Sequence, residues 1–403
     1  MAESQKAFGA RIARARRLRG WSQASFAEKI DRSATWVSQV ERGARNIDRM
    51  SVLETLAEAL DVPLVELAAD SPVVAVKTPV SDDAERLRAV LLTTRSLPQA
   101  DEQYGEPDMT ALSTEVDSVW NLVHAGQYSE LPSTLGPLIL RLDRACSQAA
   151  DKARPSDLLA SAYHAMAAAF ANLGELDPAW IASDRAIDAA RSSGDLVSTV
   201  ASMFRLAIVF QGARRYAYVE RVGRDGAEAL QDRFEELGVP ARSVWGALTL
   251  QRAVAAARSN EAERAYFLLE EARTVAETIG EGRNDHHTEF GPLNVAIHEV
   301  AVSVDLGDAG RALRVAEAID AHVLSAERHC RLLIDVARAH SQRRDSAGAI
   351  RSLGEAEQYA ASIVYGHYFA RQIVSDLLAL ADEPSAELRG LAVRMALLPP
   401  KVA

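Results

Sequence analysis

The chain has 403 residues, 48% of them hydrophobic, a formal net charge of −11 and only two cysteines. That length exceeds one small core and predicts two or three units, while the acidic total excludes a chain coated in nucleic acid. The cysteines, Cys146 and Cys330, lie too far apart for a disulfide framework or a thiolate metal cluster and are expected as small buried hydrophobes.

Ala, Leu, Arg and Glu dominate, and alternating Val/Ile/Thr runs with tight turns are absent, so an all-α protein is expected. No stretch reaches the roughly 18 unbroken apolar residues of a membrane span, and Met1 to Gly9 has no signal-peptide run. A cytoplasmic location without membrane contact follows as the expectation. Charge is unevenly placed: Met1 to Arg49 carries eleven Lys and Arg against five Asp and Glu, a local +6 that leaves −17 for the rest. A basic head on an acidic body suits phosphate binding at one end.

In chain order, Phe8, Ile12, Ala15 and Leu18 give a first helix its apolar face, and Gly20 stops it. Ser22 caps a second helix that turns Phe26, Ala27 and Ile30 inward. Asp31 and Arg32 form the turn, Ser33 caps a third helix with Val37 and Val40 buried, and Gly43 ends it. A fourth helix carries Met50, Leu53, Leu56, Ala57 and Leu60, and a short fifth carries Leu64 and Leu67. Arg11, Arg14, Arg16, Arg17 and Arg19 on the first helix read either as a solvated face or as an electrostatic flank for DNA. The resulting division is a five-helix unit over 1–69, a linker over 70–83 containing SPVVAVKTPVSDD, and a helical repeat unit over 84–403.

In the repeat unit a turn residue closes one helix, and a small or apolar residue five positions later opens the packing face of the next. Gly174 with Ala179 and Ala186 shows the spacing, and Asn260 with Ala265 and Ala272 repeats it. Gly307 with Ala312, Arg344 with Ala349 and Ala356, Gly126 with Leu131, and Arg214 in a poorer copy complete the series. Small residues there let antiparallel helices approach closely. Turn-to-turn spacings of 48, 40, 46, 47 and 37 exceed the tetratricopeptide length of about 34 residues. The expected architecture is therefore a degenerate, right-handed, tetratricopeptide-like α-solenoid with a concave inner wall.

WSQASFAEKIDRSATWVSQVERGARN resembles the XRE/Cro-cI repressor family, through Ser22-Gln23, Phe26-Ala27, Ser38 and Val40-Glu41-Arg42-Gly43. The resemblance covers Phe8 to Leu67, about a sixth of the chain. It implies a DNA-binding helix-turn-helix whose third helix enters the major groove. Carried over by position, it implies phosphate contacts from Gln23, Arg45 and Asn46, and base-facing roles for Ala34, Thr35, Ser38 and Gln39 behind the cap Ser33. An amide at Gln39 suits adenine, and the methyls of Ala34 or Thr35 suit thymine. Trp36 shares that face; packing inside the bundle or at a dimer contact is its alternative. Asp31 and Arg32 depart from the family's Gly and apolar residue: Asp tolerates a left-handed turn, and Arg32 becomes an added phosphate contact.

The repeat unit is similar to that of actinobacterial regulators with this layout. Leu173-Gly174, Pro178-Ala179-Trp180, Asp184-Arg185-Ala186, Phe290-Gly291-Pro292, Asn294-Val295, His298 and Leu306-Gly307-Asp308 carry the likeness. The architecture also resembles the Gram-positive peptide-pheromone regulators, which implies a groove for a peptide or small molecule. By repeat register, first-helix residues His164, Phe204, Gln211, Asn294, Arg331 and Arg338 should line the concave wall, with His298 beside Asn294 after the Phe-Gly-Pro loop. Ordinary helix packing is the alternative for each, and for His298 a satisfied core histidine. Asp285-His286-His287 with Glu289 is not expected to converge on a metal, and His298-Glu299 lacks the second histidine of a zinc protease. No phosphate loop or nucleophile elbow is present, so neither enzyme nor cofactor is expected. The expected function is a homodimeric transcription regulator on a pseudo-palindromic operator, gated by a small signal. The rival is an adaptor whose solenoid docks a partner protein.

Overall fold

The computed structural model describes residues 2–43, 50–60, 62, 81–96, 108–381 and 383–398. Among these residues the protein is all-α, with nineteen α-helices, two short 3-10 turns and no strand. Arg45 and Asn46, the expected helix at Leu64 and Leu67, and residues 70–80 of the expected linker lie outside the described residues.

Four helices make up the described part of the head: α1 (Ala2–Leu18), α2 (Gln23–Lys29), α3 (Ala34–Glu41) and α4 (Met50–Ala59). Ile12, Phe26, Val37, Val40, Leu56 and Leu60 form its core. Gly9 makes the packing of α1 on α3 possible, because a Cβ there would sit 2.4 Å from the carbonyl oxygen of Val40. Arg16 departs from the solvated or DNA-facing row expected of the α1 arginines. It is buried, its Nε and Nη2 donate to Glu41 at 2.6 and 2.9 Å, and its Nη1 donates to the Trp21 carbonyl.

The repeat unit opens with α5 (Asp82–Ser96), two residues before the expected boundary, then α6 (Met109–His124) and α7 (Leu131–Gln148). Five hairpins follow: α8/α9 (Ala153–Asn172, Leu176–Ser193), α10/α11 (Leu196–Gly212, Tyr216–Gln231), α12/α13 (Phe234–Arg258, Ala262–Ile279), α14/α15 (Pro292–Asp305, Ala309–Glu317) and α16/α17 (Ala326–Gln342, Ser346–Gly366). Helices α18 (Tyr368–Leu380) and α19 (Ala386–Arg394) complete it. Within α12 the helix is broken at Gly238.

All six expected turn residues, Gly126, Gly174, Arg214, Asn260, Gly307 and Arg344, have φ between 58° and 82°. In each, the N–H one residue further on donates back to a carbonyl five residues earlier, as from Glu175 to Phe170 and from Asp345 to His340, which ends the helix and reverses the chain. Leu131, Ala179, Ala265, Ala312 and Ala349, five residues after their turns, are fully buried, as is Val219 after Arg214. Cys330 is buried as expected, whereas Cys146 is only half buried, 3.6 Å from the Ser156 hydroxyl.

The solenoid closes on itself. One core joins Leu87, Trp120, Leu138 and Phe170 near its start to Cys330, Leu353, Val374 and Leu391 near its end. At the seam Gly174 and Gly366 meet backbone to backbone: a Cβ on either would lie 2.6 Å from a carbonyl oxygen of the other segment. The concave wall formed by the first helices of the hairpins thereby becomes the lining of a central cavity.

Candidate functional site

The head builds its exposed face from two capped helices. Ser22 accepts from the Ser25 N–H and starts α2; Ser33 accepts from the Trp36 N–H at 3.1 Å and starts α3. Between them Asp31 takes the left-handed conformation, φ 50°, that the turn requires. Val37 and Val40 anchor α3 in the core, leaving Ala34 and Thr35 exposed and Ser38 and Gln39 half buried. Trp36 is half buried against the core, and the Arg32 guanidinium lies 5.8 Å from its ring centroid.

Gln23 opens α2 and donates from Nε2 to Glu41 at 2.7 Å, joining the Arg16–Glu41 pair. Burial alone would raise the Glu41 pKa, but hydrogen bonds from Arg16 and Gln23 outweigh it and keep the carboxylate below its ordinary value. One hydrogen of the Gln23 amide is thus occupied within the head.

The central cavity has two lobes of about 140 and 430 Å3 that share Gln211, Gln251, Arg258, Arg331, His367 and Phe369. Of the expected lining residues, Phe204, Gln211, Asn294, His298 and Arg331 are on its wall. His164 is not: it is buried between α8 and α10, with Nε2 2.7 Å from the Ser202 hydroxyl, and burial with the nearby Arg205 charge pushes its pKa well down. Arg338 is also corrected, since it is buried behind the wall, paired with Asp305 and Asp335, with its guanidinium 3.8 Å from the Phe369 ring centroid.

The wall residues differ in what remains open to a ligand. Asn294 is 4% exposed; its Oδ1 accepts from Arg328 and its Nδ2 faces the Thr288 carbonyl at 3.5 Å. His298 Nδ1 donates to the Asn294 carbonyl at 2.9 Å, which assigns its Nε2 as acceptor from Gln251 at 3.3 Å. Burial and the Arg328 charge hold its pKa at about 3, so the ring is neutral. Protein groups therefore already engage both residues. Gln211 is the opposite case: it is 7% exposed, and neither amide atom has a hydrogen-bond partner.

Sequence reasoning missed Arg205, Gln251, Arg258, His367 and Phe369. A register signal was available for two of them. Nine positions before the last four of the six turns, Arg214, Asn260, Gly307 and Arg344, stand Arg205, Gln251, His298 and Asp335, and all four line the smaller lobe. His367 caps α18, outside any hairpin, and has no such signal.

The loop between α13 and α14 closes one side of that lobe. His286, His287 and Glu289 all have φ near 50°. Arg205 holds the loop by donating to the His287 carbonyl at 2.7 Å, Arg328 donates to Thr288, and the His287 ring stacks on Trp120 at 4.1 Å. Ligating atoms of His124, Glu289 and Glu327 lie within 4.8 Å of one another. Arg328 pairs with Glu289 at 2.9 Å and Arg331 approaches Glu327 at 3.5 Å, so guanidinium charge already occupies the place a cation would take.

No helix among the described residues is long and apolar enough to cross a membrane. No curated protein matches the chain. Among solved structures the chain is similar to Bacillus thuringiensis PlcR in complex with the peptide PapR7 and DNA, at 16% identity, covering 68% of this chain and 99% of that one. The TM-score of 0.25 leaves that likeness without weight in assigning function. Residues 7–69 match the helix-turn-helix domain family, in agreement with the capped α2–turn–α3 geometry, and the chain therefore begins with a helix-turn-helix domain.

Proposed function

We propose that the protein is a sequence-specific DNA-binding transcription regulator of the XRE type, acting as a homodimer and gated by a peptide or small molecule in the cavity of its tetratricopeptide-like ring. The observation that carries the DNA half is the presentation of Ala34, Thr35, Ser38 and Gln39 on the outer face of a helix whose inner face, Val37 and Val40, is fixed in the core. Gln39 reads a base, while Gln23, Arg32, Arg45 and Asn46 grip phosphates. In the ring, Phe204, Gln211 and Arg331 contact the ligand; Asn294 and His298 shape its wall. One head spans only a few base pairs, so useful specificity requires two on paired half-sites.

The test is binding to a duplex selected in vitro by the full chain. Gln39→Ala should lower discrimination against a mismatched site by roughly 1–3 kcal/mol. Binding and discrimination equal to the unaltered chain would end the α3 assignment, and a monomer by light scattering on the duplex would end the dimer.

An adaptor role is the second reading. It is favoured by the exposed Trp180, Ile181, Tyr218 and Phe267 on the second helices α9, α11 and α13, an apolar row of the kind that docks proteins. A chain that shows no preference for any duplex yet retains a partner protein through that row would establish it.

A further inference from the structure

The larger lobe of the cavity is lined by Arg214, Arg258, Arg331 and Arg371 and by no aspartate or glutamate. Asp305 matches Arg258 at 2.9 Å, and Glu327 lies 3.5 Å from Arg331. Arg371 has no carboxylate partner among the described residues. Its Nη1 donates to the backbone carbonyls of Tyr365 and Met395, at 3.2 and 2.7 Å. Burial lowers the Arg371 pKa, yet a guanidinium keeps its proton at neutral pH, so the wall carries a positive charge that its own residues do not balance.

The same lobe carries polar atoms without partners. Both amide atoms of Gln211 are unpartnered, and so is His367 Nδ1. An unsatisfied buried polar group costs about 1–3 kcal/mol, so several around one void point to a missing occupant that offers both donors and acceptors. Asn172, Gln251, Gln372 and Ser375 add neutral polar groups, and Leu176, Tyr216, Ile363 and Phe369 supply an apolar and aromatic face.

We propose that the larger lobe binds an organic monoanion: a carboxylic acid whose carboxylate pairs with Arg371, whose adjoining amide meets Gln211 and His367, and whose apolar body lies against Tyr216 and Phe369. One unbalanced guanidinium suits a carboxylate better than a phosphate dianion, which needs more cationic groups around it. A lining without carboxylates disfavours cationic ligands. The unit recognised, an amide followed by a carboxylate, occurs in a free acylated amino acid and at the C-terminus of a short peptide. The inference rests on the reading of this cavity as the regulator's ligand site, but binding itself does not require that DNA affinity change.

The experiment uses the full chain and two fluorescent probes, 1-anilinonaphthalene-8-sulfonate and its uncharged counterpart N-phenyl-1-naphthylamine. The sulfonate should bind at least about tenfold more tightly, and Arg371→Gln should remove the preference while Arg371→Lys keeps most of it. N-acetylphenylalanine should displace the sulfonate probe at least about tenfold better than N-acetylphenylalaninamide, and Gln211→Leu should weaken displacement by the acid. Circular dichroism and melting confirm that each variant is folded; if Arg371→Gln does not fold, the acid–amide comparison on the unaltered chain decides. Equal binding of the two probes, or equal displacement by acid and amide in both the N-acetylphenylalanine pair and the tripeptide pair, overturns the proposal. Running a tripeptide with a free C-terminus beside its amidated form separates the two sources. If the peptide acid alone displaces the probe, the source is a peptide; if the acylated amino acid also does, a free acid suffices. Anisotropy on the selected duplex keeps the two readings apart: acid binding with no change in DNA affinity leaves this inference standing and defeats gating.

Discussion

In the head, buried polar groups satisfy one another. Arg16, Glu41, Gln23 and the Trp21 carbonyl form a closed set, and the side chains proposed to face bases stand outside it on α3. In the ring the arrangement is inverted: among the residues that line the cavity, Gln211, His367 and Arg205 each leave a buried polar atom unpartnered. A surface reader needs a rigid support and exposed tips, whereas an interior site needs donors and acceptors held open at a cost in stability. The two parts also differ in titratable content, since all nine histidines lie at or beyond His124 and the head has none.

The largest expected effects come from the two glycine contacts that hold each part together. Gly9→Ala would place a methyl 2.4 Å from the Val40 carbonyl oxygen, and Gly366→Ala would place one 2.6 Å from that of Leu173. Both obstacles are backbone, so neither yields by a rotamer change, and each substitution should cost about 3 kcal/mol. Calorimetry should show the Gly9 variant losing only the head transition and the Gly366 variant only the ring transition. If either substitution lowers both transitions equally, the parts do not fold independently and the comparison fails.

Much of this was legible before any coordinates. Gly126, Gly174, Arg214, Asn260, Gly307 and Arg344 could be read as turns because a left-handed residue followed five positions later by a small or apolar one leaves a local mark. The helix-turn-helix was legible for the same reason, since caps, turn and apolar face all fall within about twenty residues. Ring closure was not legible, because Gly174 and Gly366 touch across 192 residues and neither lies in a periodic pattern shared with the other. His164 and Arg338 were misplaced because register shows which helices face the axis but not what packs against each side chain: His164 meets Ser202 of α10, and Arg338 pairs with Asp305 of α14. Asn294 and His298 were placed on the correct wall, and their engagement by Arg328 and Gln251 depends on contacts between hairpins.

An intermediate effect should follow from acidification. Burial holds the pKa of His298 and His367 at about 3 and of His287 at about 2, each helped by nearby guanidiniums, and that of His164 well below its ordinary value. A histidine whose folded pKa lies below the unfolded value of about 6.5 contributes stability fully present above that pH and lost as pH falls toward the folded value. Between pH 7.5 and 5.5 the ring should therefore weaken by about 1 kcal/mol per buried histidine. Below pH 6 Asp376, raised to about 6 by burial, opposes this, and Asp335, also raised by burial, acts in the same sense. The head should not respond in that window, because its shifted carboxylate, Glu41, is held below the ordinary range. Melting curves should show the ring transition moving down while the head transition stays fixed, and His367→Gln should reduce the slope. Parallel movement of both transitions would place the proton uptake elsewhere.

The smallest effect separates two roles for Arg32. Its guanidinium lies over Trp36, and Nη1 donates to the Asp31 carbonyl at 3.0 Å, so the side chain stabilises the turn and partly covers the indole. At a half-exposed site such a cation–π contact contributes about 0.5 kcal/mol, and Arg32→Ala should lower head stability by that amount with a small change in tryptophan emission. A phosphate contact would act differently: it weakens binding to every duplex by a similar factor and reduces the dependence of log K on log salt by about one. Since a guanidinium over an indole still presents its edge to solvent, Arg32 should do both. Binding to matched and mismatched duplexes should then fall in parallel, with a shallower salt slope. A stability change with an unaltered salt slope would confine Arg32 to the turn and leave the phosphate grip to the remaining positions of the head.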